Sequence, residues 1–289
     1  MNPTVESFFD ASTSTWTHVV ADPQGAAAIV DPVLDYDPKS GAVSTTSATR
    51  VLEFVRAAGL HVEWILETHA HADHLTAASW LRQRLGGGPR TGCGAGIVAV
   101  QSTFKTLLGL GPDFVADGRQ FDHLFAADER FRIGALEAVA WATPGHTPDG
   151  VTYVVGDAAF VGDTIFMPDC GTARCDFPGG DAVRLWDSIR RILALPAGTR
   201  LFLCHDYPPA GRVATGETTP GAQRGANTHV RDGIGREAFI AMRRQRDATL
   251  ASPVLLWPSL QVNIRAGHLP PAEADGRRFL RIPLSGEGA

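Results

Sequence analysis

Long apolar runs are missing from this chain: nowhere does it hold the roughly 20 consecutive apolar residues that span a bilayer. No membrane segment is expected. Cysteine is scarce, with four in 289 residues (Cys93, Cys170, Cys175 and Cys204), and no pair has the Cys-x-x-Cys spacing of a zinc ribbon. That excludes a disulfide framework and makes reduced thiols the expectation. A basic excess is absent too, since 26 Lys and Arg face 31 Asp and Glu for a net charge of -5, which argues against a nucleic-acid partner. The first 23 residues carry Glu6, Asp10 and Asp22 and neither a basic stretch nor an apolar core, so no secretory signal is read there. A cytoplasmic location is expected.

What is present is ample apolar material, 44% of residues, and ten histidines. A chain of this length buries a sizeable core without staples. Val5 to Val33 alternates short apolar runs with turn residues and reads as an antiparallel meander. Ser44 to Leu60 has helical spacing at Val51, Phe54, Val55 and Ala58; a strand Val62–Leu66 follows, then helical spacing from His74 to Leu85. A short helix is read at Ser102–Leu108. Strands are then expected at 122–126, 131–133, 136–143, 151–155 and 159–161, a helix at 181–195, a strand at 201–204, and helices near 218–227 and 236–250. Two halves that each run from strands through helix to strand predict an α/β fold, a four-layer αββα sandwich. No linker divides it, so residues 1–289 are read as one domain, with the Pro- and Gly-rich segment 253–289 as an extension packed on it.

The chemistry concentrates at strand ends. Thr68-His69-Ala70-His71-Ala72-Asp73-His74 packs three histidines and an aspartate beyond a buried strand, where open α/β sheets bind ligands. Desolvating three imidazoles together is costly unless a cation holds them. Gly145-His146, Gly162-Asp163-Thr164 and His205-Asp206-Tyr207 each follow a strand in the same way. Each is weak alone; four such loops together predict a metal cleft. Cys204 precedes a ligand on a strand and is expected to face away from it, into the core. The run Arg243-Arg244-Gln245-Arg246 reads as a solvated helix face.

That ordered set, His69/His71/Asp73/His74, His146, Asp163 and His205, resembles the metallo-β-lactamase superfamily over about residues 5 to 250. The segment Cys170-Gly171-Thr172-Ala173-Arg174-Cys175-Asp176-Phe177, the His-Asp-Tyr at 205–207, Arg224-x-x-Asn227 and Leu256-Trp257-Pro258-Ser259 resemble the bacterial persulfide dioxygenases, also called sulfur dioxygenases. The resemblance implies one Fe(II) per chain held by His69, His146 and Asp163, a 2-His-1-carboxylate set with adjacent open positions. It implies glutathione persulfide and O2 as substrates, sulfite and glutathione as products, and a homodimer. His71, Asp73, His74 and His205 would then orient the ligands or hold a second metal. Tyr207 could donate a hydrogen bond near the metal or simply pack. Arg174, Asp176 and Arg224 are the candidates for substrate contact, with Arg174 either pairing a glutathione carboxylate or bracing its loop through Asp176. The alternative is a glyoxalase-II-like hydrolase of glutathione thioesters with two metals.

Overall fold

Apolar residues alternate along the strands and recur at helical spacing in the helices, and both patterns are buried against one another in four layers. The computed structural model describes residues 1–284. One six-stranded sheet has the order Thr4–Asp10, Thr15–Ala21, Ala26–Val30, His61–Leu66, Arg90–Gly94 and His123–Phe125. Its first three strands are antiparallel and the last three run parallel to Ala26–Val30 and to each other in turn. The second sheet orders Glu129–Ile133, Leu136–Ala142, Val151–Val155, Ala158–Phe160, Arg200–Phe202 and Glu217–Thr218.

Between the sheets lie Val20, Val30, Leu66, Phe125, Tyr153 and Phe160. Helices Thr46–Ala57 and Ala78–Arg84 cover the outer face of the first sheet through Val51, Val55 and Leu81. Helices Ala182–Leu193 and Arg236–Asp247 cover the second through Leu185, Ile189 and Phe239. This is the expected αββα sandwich. Among the described residues no helix is long and apolar enough to cross a membrane.

Several elements differ from the sequence reading, among them the helix read at Ser102–Leu108, which spans Ile97–Leu107. Residues 90–94 form an interior strand where the sequence reading placed no element. Its glycines are steric requirements: a Cβ on Gly92 would meet the Phe125 ring at 2.7 Å, and one on Gly94 the Asp149 carbonyl at 2.4 Å. The helix read from His74 begins only at Ala78, because Leu75–Thr76 pairs with Val33–Leu34. The extension contains a helix, Leu256–Asn263, packed with Leu260 and Ile264 on Phe104 and Ile97 of helix Ile97–Leu107. Its last residues, 285–289, lie outside the described residues.

His18 lies in this core. Its Nε2 donates to the Leu203 carbonyl at 2.9 Å and its Nδ1 lies 2.8 Å from the Ser7 hydroxyl, which can donate to it in the neutral ring. Burial pulls its pKa down to about 4 from an ordinary 6.5. The unfolded chain therefore binds the extra proton between those values, and stability is lost as pH falls through that window, by on the order of 3 kcal/mol for this residue. Urea unfolding at pH 7 and pH 4.5 is expected to show a smaller acid loss in His18→Gln than in the parent; equal losses would disprove the assignment.

Candidate metal centre

Beyond strand His61–Leu66 the chain turns and delivers His69, His71 and His74, all buried, with ring centroids 4.1 Å apart for the first pair and 4.2 Å for the second. The Ala70 amide donates to the buried Asp149 carboxylate at 2.8 Å, which fixes the turn. His146 and Asp163 arrive from the second sheet, each behind a glycine. Gly145 has φ +143° and its Cα faces Leu185, where a Cβ would stand 2.3 Å from the Leu185 backbone. Gly162 has φ +53°, and a Cβ there would meet the Thr68 hydroxyl at 2.7 Å. The Gly-His and Gly-Asp pairs thus set the approach of both ligands.

His69, His146 and Asp163 form one compact group of possible metal donors, and Asp73, His74, His205 and His71 another. Asp163 belongs to both neighbourhoods: its carboxylate lies 3.8 Å from His69 Nε2, 3.7 Å from His146 Nε2 and 3.5 Å from His205 Nε2. Tautomers are fixed from behind. His146 Nδ1 donates to the Arg174 carbonyl at 2.6 Å and His205 Nδ1 to the Ser14 carbonyl at 3.2 Å. The Thr68 hydroxyl donates to Asp31 at 2.8 Å, so it accepts from His69 Nδ1 at 3.1 Å. Each leaves an Nε2 lone pair facing the cleft. His69 Nε2, His74 Nε2, His205 Nε2 and Asp163 Oδ1 are buried without a hydrogen-bond partner. Buried polar atoms are not left so without a reason, and a cation fits this donor set. Burial and the neighbouring imidazoles push the His69 pKa well down, which keeps it in the ligating form.

His71 is set apart from the trio. Its Nε2 points at Asp31 at 3.0 Å and at Glu67 at 3.3 Å, and its Nδ1 lies 4.0 Å from Cys204 Sγ. Against the pull of burial, Asp31 raises its pKa well above the ordinary value. Cys204 faces this second group, contrary to expectation, because strand Arg200–Phe202 has ended and alternation no longer governs the side chain.

A cavity of about 550 Å³ opens on the site, lined by Asp73, His146, Asp163, Phe166, Tyr207 and Arg246 among others. Tyr207 is 47% exposed at its mouth and stacks on the His205 ring, centroids 5.8 Å apart and planes 14° from parallel. Of the arginines, Arg174 follows one of its two expected alternatives, whereas Arg224 and Arg243 depart from the sequence reading. Arg174 also lines the cavity, yet it binds both oxygens of Asp176 at 2.6 Å and the Ala251 carbonyl at 2.6 Å, so it braces the wall and Asp176 does not line the cavity. Arg224 is not brought to the cleft; it donates to the Leu193 carbonyl at the end of helix Ala182–Leu193. The expected solvated face 243–246 is wrong at Arg243, which is 1% exposed, paired with Asp247 at 2.5 Å and bonded to the Thr172 carbonyl at 3.1 Å. Asp247 in turn accepts from the Cys175 thiol at 3.3 Å, and burial pushes that thiol up to about 12. Arg246 faces the cavity, and among the described residues no carboxylate pairs with it.

Asp31, Glu67 and Asn263 escaped the sequence reading. Asp31-Pro32 carried a signal, an acidic residue ending a strand, but Asn263 carried none. Its side chain donates to the His71 and His74 carbonyls at 2.8 Å each and accepts from the Thr76 amide at 2.9 Å.

A family model described as the metallo-beta-lactamase superfamily matches residues 13–205. The chain is 50% identical to a probable metallo-hydrolase of Burkholderia pseudomallei over 97% of its own length and 99% of that protein. It is 47% identical to Glyoxylase B2 of Dictyostelium discoideum, covering 97% of each. Human mitochondrial persulfide dioxygenase ETHE1 is 30% identical over 70% of this chain and 68% of that one. The chain spans 65% to 66% of the length of three longer beta-lactamase hydrolase-like proteins. A crystal structure of ETHE1 from Myxococcus xanthus superimposes with a TM-score of 0.72 at 28% identity, covering 92% of this chain and all of that one. With its fold, ordered donors and buried metal-type cluster, the chain belongs to the metallo-beta-lactamase superfamily of metal-dependent enzymes.

Proposed function

We propose that the chain is a persulfide dioxygenase that uses one Fe(II) to oxidise glutathione persulfide. The balance is one persulfide, one O2 and one water giving glutathione, sulfite and two protons. The observation that supports this reading most is the donor trio itself: two imidazoles with their Nε2 atoms turned to one carboxylate, of which His146 and Asp163 line the cavity, while His71 is committed to Asp31 and Glu67. A 2-His-1-carboxylate set suits Fe(II) in oxygen chemistry, whereas a third imidazole would favour zinc. Bound at the trio, Fe(II) would supply one-electron chemistry toward dioxygen with positions left open for the persulfide sulfur.

The chain's own residues would do the rest. His69 and His146 present fixed Nε2 lone pairs, so little reorganisation is needed on binding. Arg246 offers the cavity's unpaired guanidinium to a glutathione carboxylate. Phe166 and Phe177 line the cavity with apolar surface and limit water. Although Tyr207 is exposed at the mouth, its hydroxyl stays protonated, because desolvation at the cleft wall and the carboxylates of Asp73 and Asp163 push its pKa above the ordinary phenol range, so it serves as a donor to the substrate. The homodimer and the cytoplasmic setting belong to the same reading.

In an oxygen electrode, the iron-loaded protein is expected to consume O2 with glutathione persulfide, to release sulfite, and to carry about one iron per chain. Arg246→Ala should raise KM about tenfold with kcat little changed. No O2 uptake with this substrate overturns the proposal. The second reading, a glyoxalase-II-like hydrolase with two metals, draws on the partnerless Nε2 atoms of His74 and His205 beside Asp73 and on the resemblance to Glyoxylase B2. Two metals per chain with hydrolysis of S-lactoylglutathione would favour it.

A further inference from the structure

Away from the metal cleft, the extension closes a second cavity of about 330 Å³ against the segment that follows helix Ile97–Leu107. Two arginines line it, Arg265 from the end of helix Leu256–Asn263 and Arg281 from the tail. The Arg281 backbone is locked: Gln261 Nε2 donates to its carbonyl at 2.8 Å, and Gln261 Oε1 accepts from its amide at 2.7 Å. Gln261 is 2% exposed, so this clip is a fixed part of the fold.

Both guanidiniums are aimed rather than free. That of Arg265 lies over the Phe114 ring, 4.6 Å from its centroid, and gives one bond to the Gln261 carbonyl at 2.6 Å. That of Arg281 gives one bond to the Gly109 carbonyl at 3.0 Å. Each therefore keeps several N–H donors unspent. Asp113 and Glu273 also line the cavity, yet among the described residues neither comes within ion-pair distance of either arginine. The two cations oppose each other: burial and the charge of Arg281 lower the Arg265 pKa. Like charges held together without a counterion are unfavourable, and an anion between them removes that repulsion. Beside them Leu110, Phe114, Pro270, Pro271 and Phe279 make an apolar wall.

We propose that this cavity is a second ligand site, which takes a small organic anion with its oxoanion head between Arg265 and Arg281 and its apolar body on Phe114 and Phe279. The site is independent of the metal chemistry and gives the extension a role beyond packing.

The test is calorimetric titration of metal-loaded Arg246→Ala protein with phenyl phosphate and with inorganic phosphate at fixed ionic strength, so that the cleft's unpaired cation is removed. Phenyl phosphate should saturate one site per chain and bind about tenfold more tightly than phosphate. Adding Arg281→Gln or Arg265→Gln should weaken it about tenfold or more. Arg281 is exposed, so its variant should keep the parent melting temperature, which separates lost binding from lost fold. No saturable binding, or binding unchanged in Arg281→Gln, overturns the proposal. Equal affinity for the two probes overturns the apolar half of the ligand class assigned here.

Discussion

Asp163→Ala is expected to lose its metal and its activity together. One carboxylate stands 3.5 to 3.8 Å from three imidazole Nε2 atoms of both donor groups, so its removal strips the negative charge that both share. Substitutions behind a metal ligand cost 10- to 100-fold in affinity, so removing the ligand itself should cost more than about 100-fold. The loss follows under the iron reading and under the two-metal reading alike. Metal analysis after dialysis at low free metal, read beside turnover, checks it. Asp163→Asn isolates the charge, since it preserves the shape; it should also fail to hold metal at that concentration. An alanine variant that retains full metal would remove Asp163 from the ligand set.

Asp31→Ala should unfold far more easily than the parent. Asp31 is 1% exposed and accepts from the Thr68 amide at 2.7 Å, the Thr68 hydroxyl at 2.8 Å and His71 Nε2 at 3.0 Å. Burial would raise its pKa, but His71 and the two Thr68 bonds prevail and hold it below the ordinary carboxylate range. Breaking such a buried pair by deleting one partner costs about 3–5 kcal/mol, a large share of the roughly 5–15 kcal/mol that holds a domain together. Alanine must also adopt φ +50°, the left-handed conformation that Asp holds here, at about 1 kcal/mol. Asp31→Asn tolerates that φ and separates the two contributions. Urea unfolding of both variants measures them; a loss under about 1 kcal/mol for alanine would mean that His71 is not charged in the folded protein.

The four ligand loops were legible because their information is local. A histidine pair two residues apart, or a glycine before a histidine, can be read without knowing the fold, and the glycines proved to be the contacts that let the ligands approach. What failed was long-range. His71 looks like an equal member of His-x-His, and only the fold brings Asp31, 40 residues earlier, against it. Arg243 looks solvated because helical spacing does not reveal that Asp247, one turn on, will be buried with it. Arg224 has the right motif, but helix Pro220–Ala226 aims it at the end of another helix. The strand Arg90–Gly94 is hidden by the two glycines that its neighbours require, and the helix Leu256–Asn263 by Pro258.

Asn263 ties the metal loop to a helix far along the chain, with its bonds to His71 and His74 bridging 192 and 189 residues. During synthesis, the histidines are made some 190 residues before their anchor. Loop closure over such a span is slow and comes late in folding. Over that stretch of synthesis the ligand loop is not yet fastened, and tight capture of metal is expected only once Asn263 has docked.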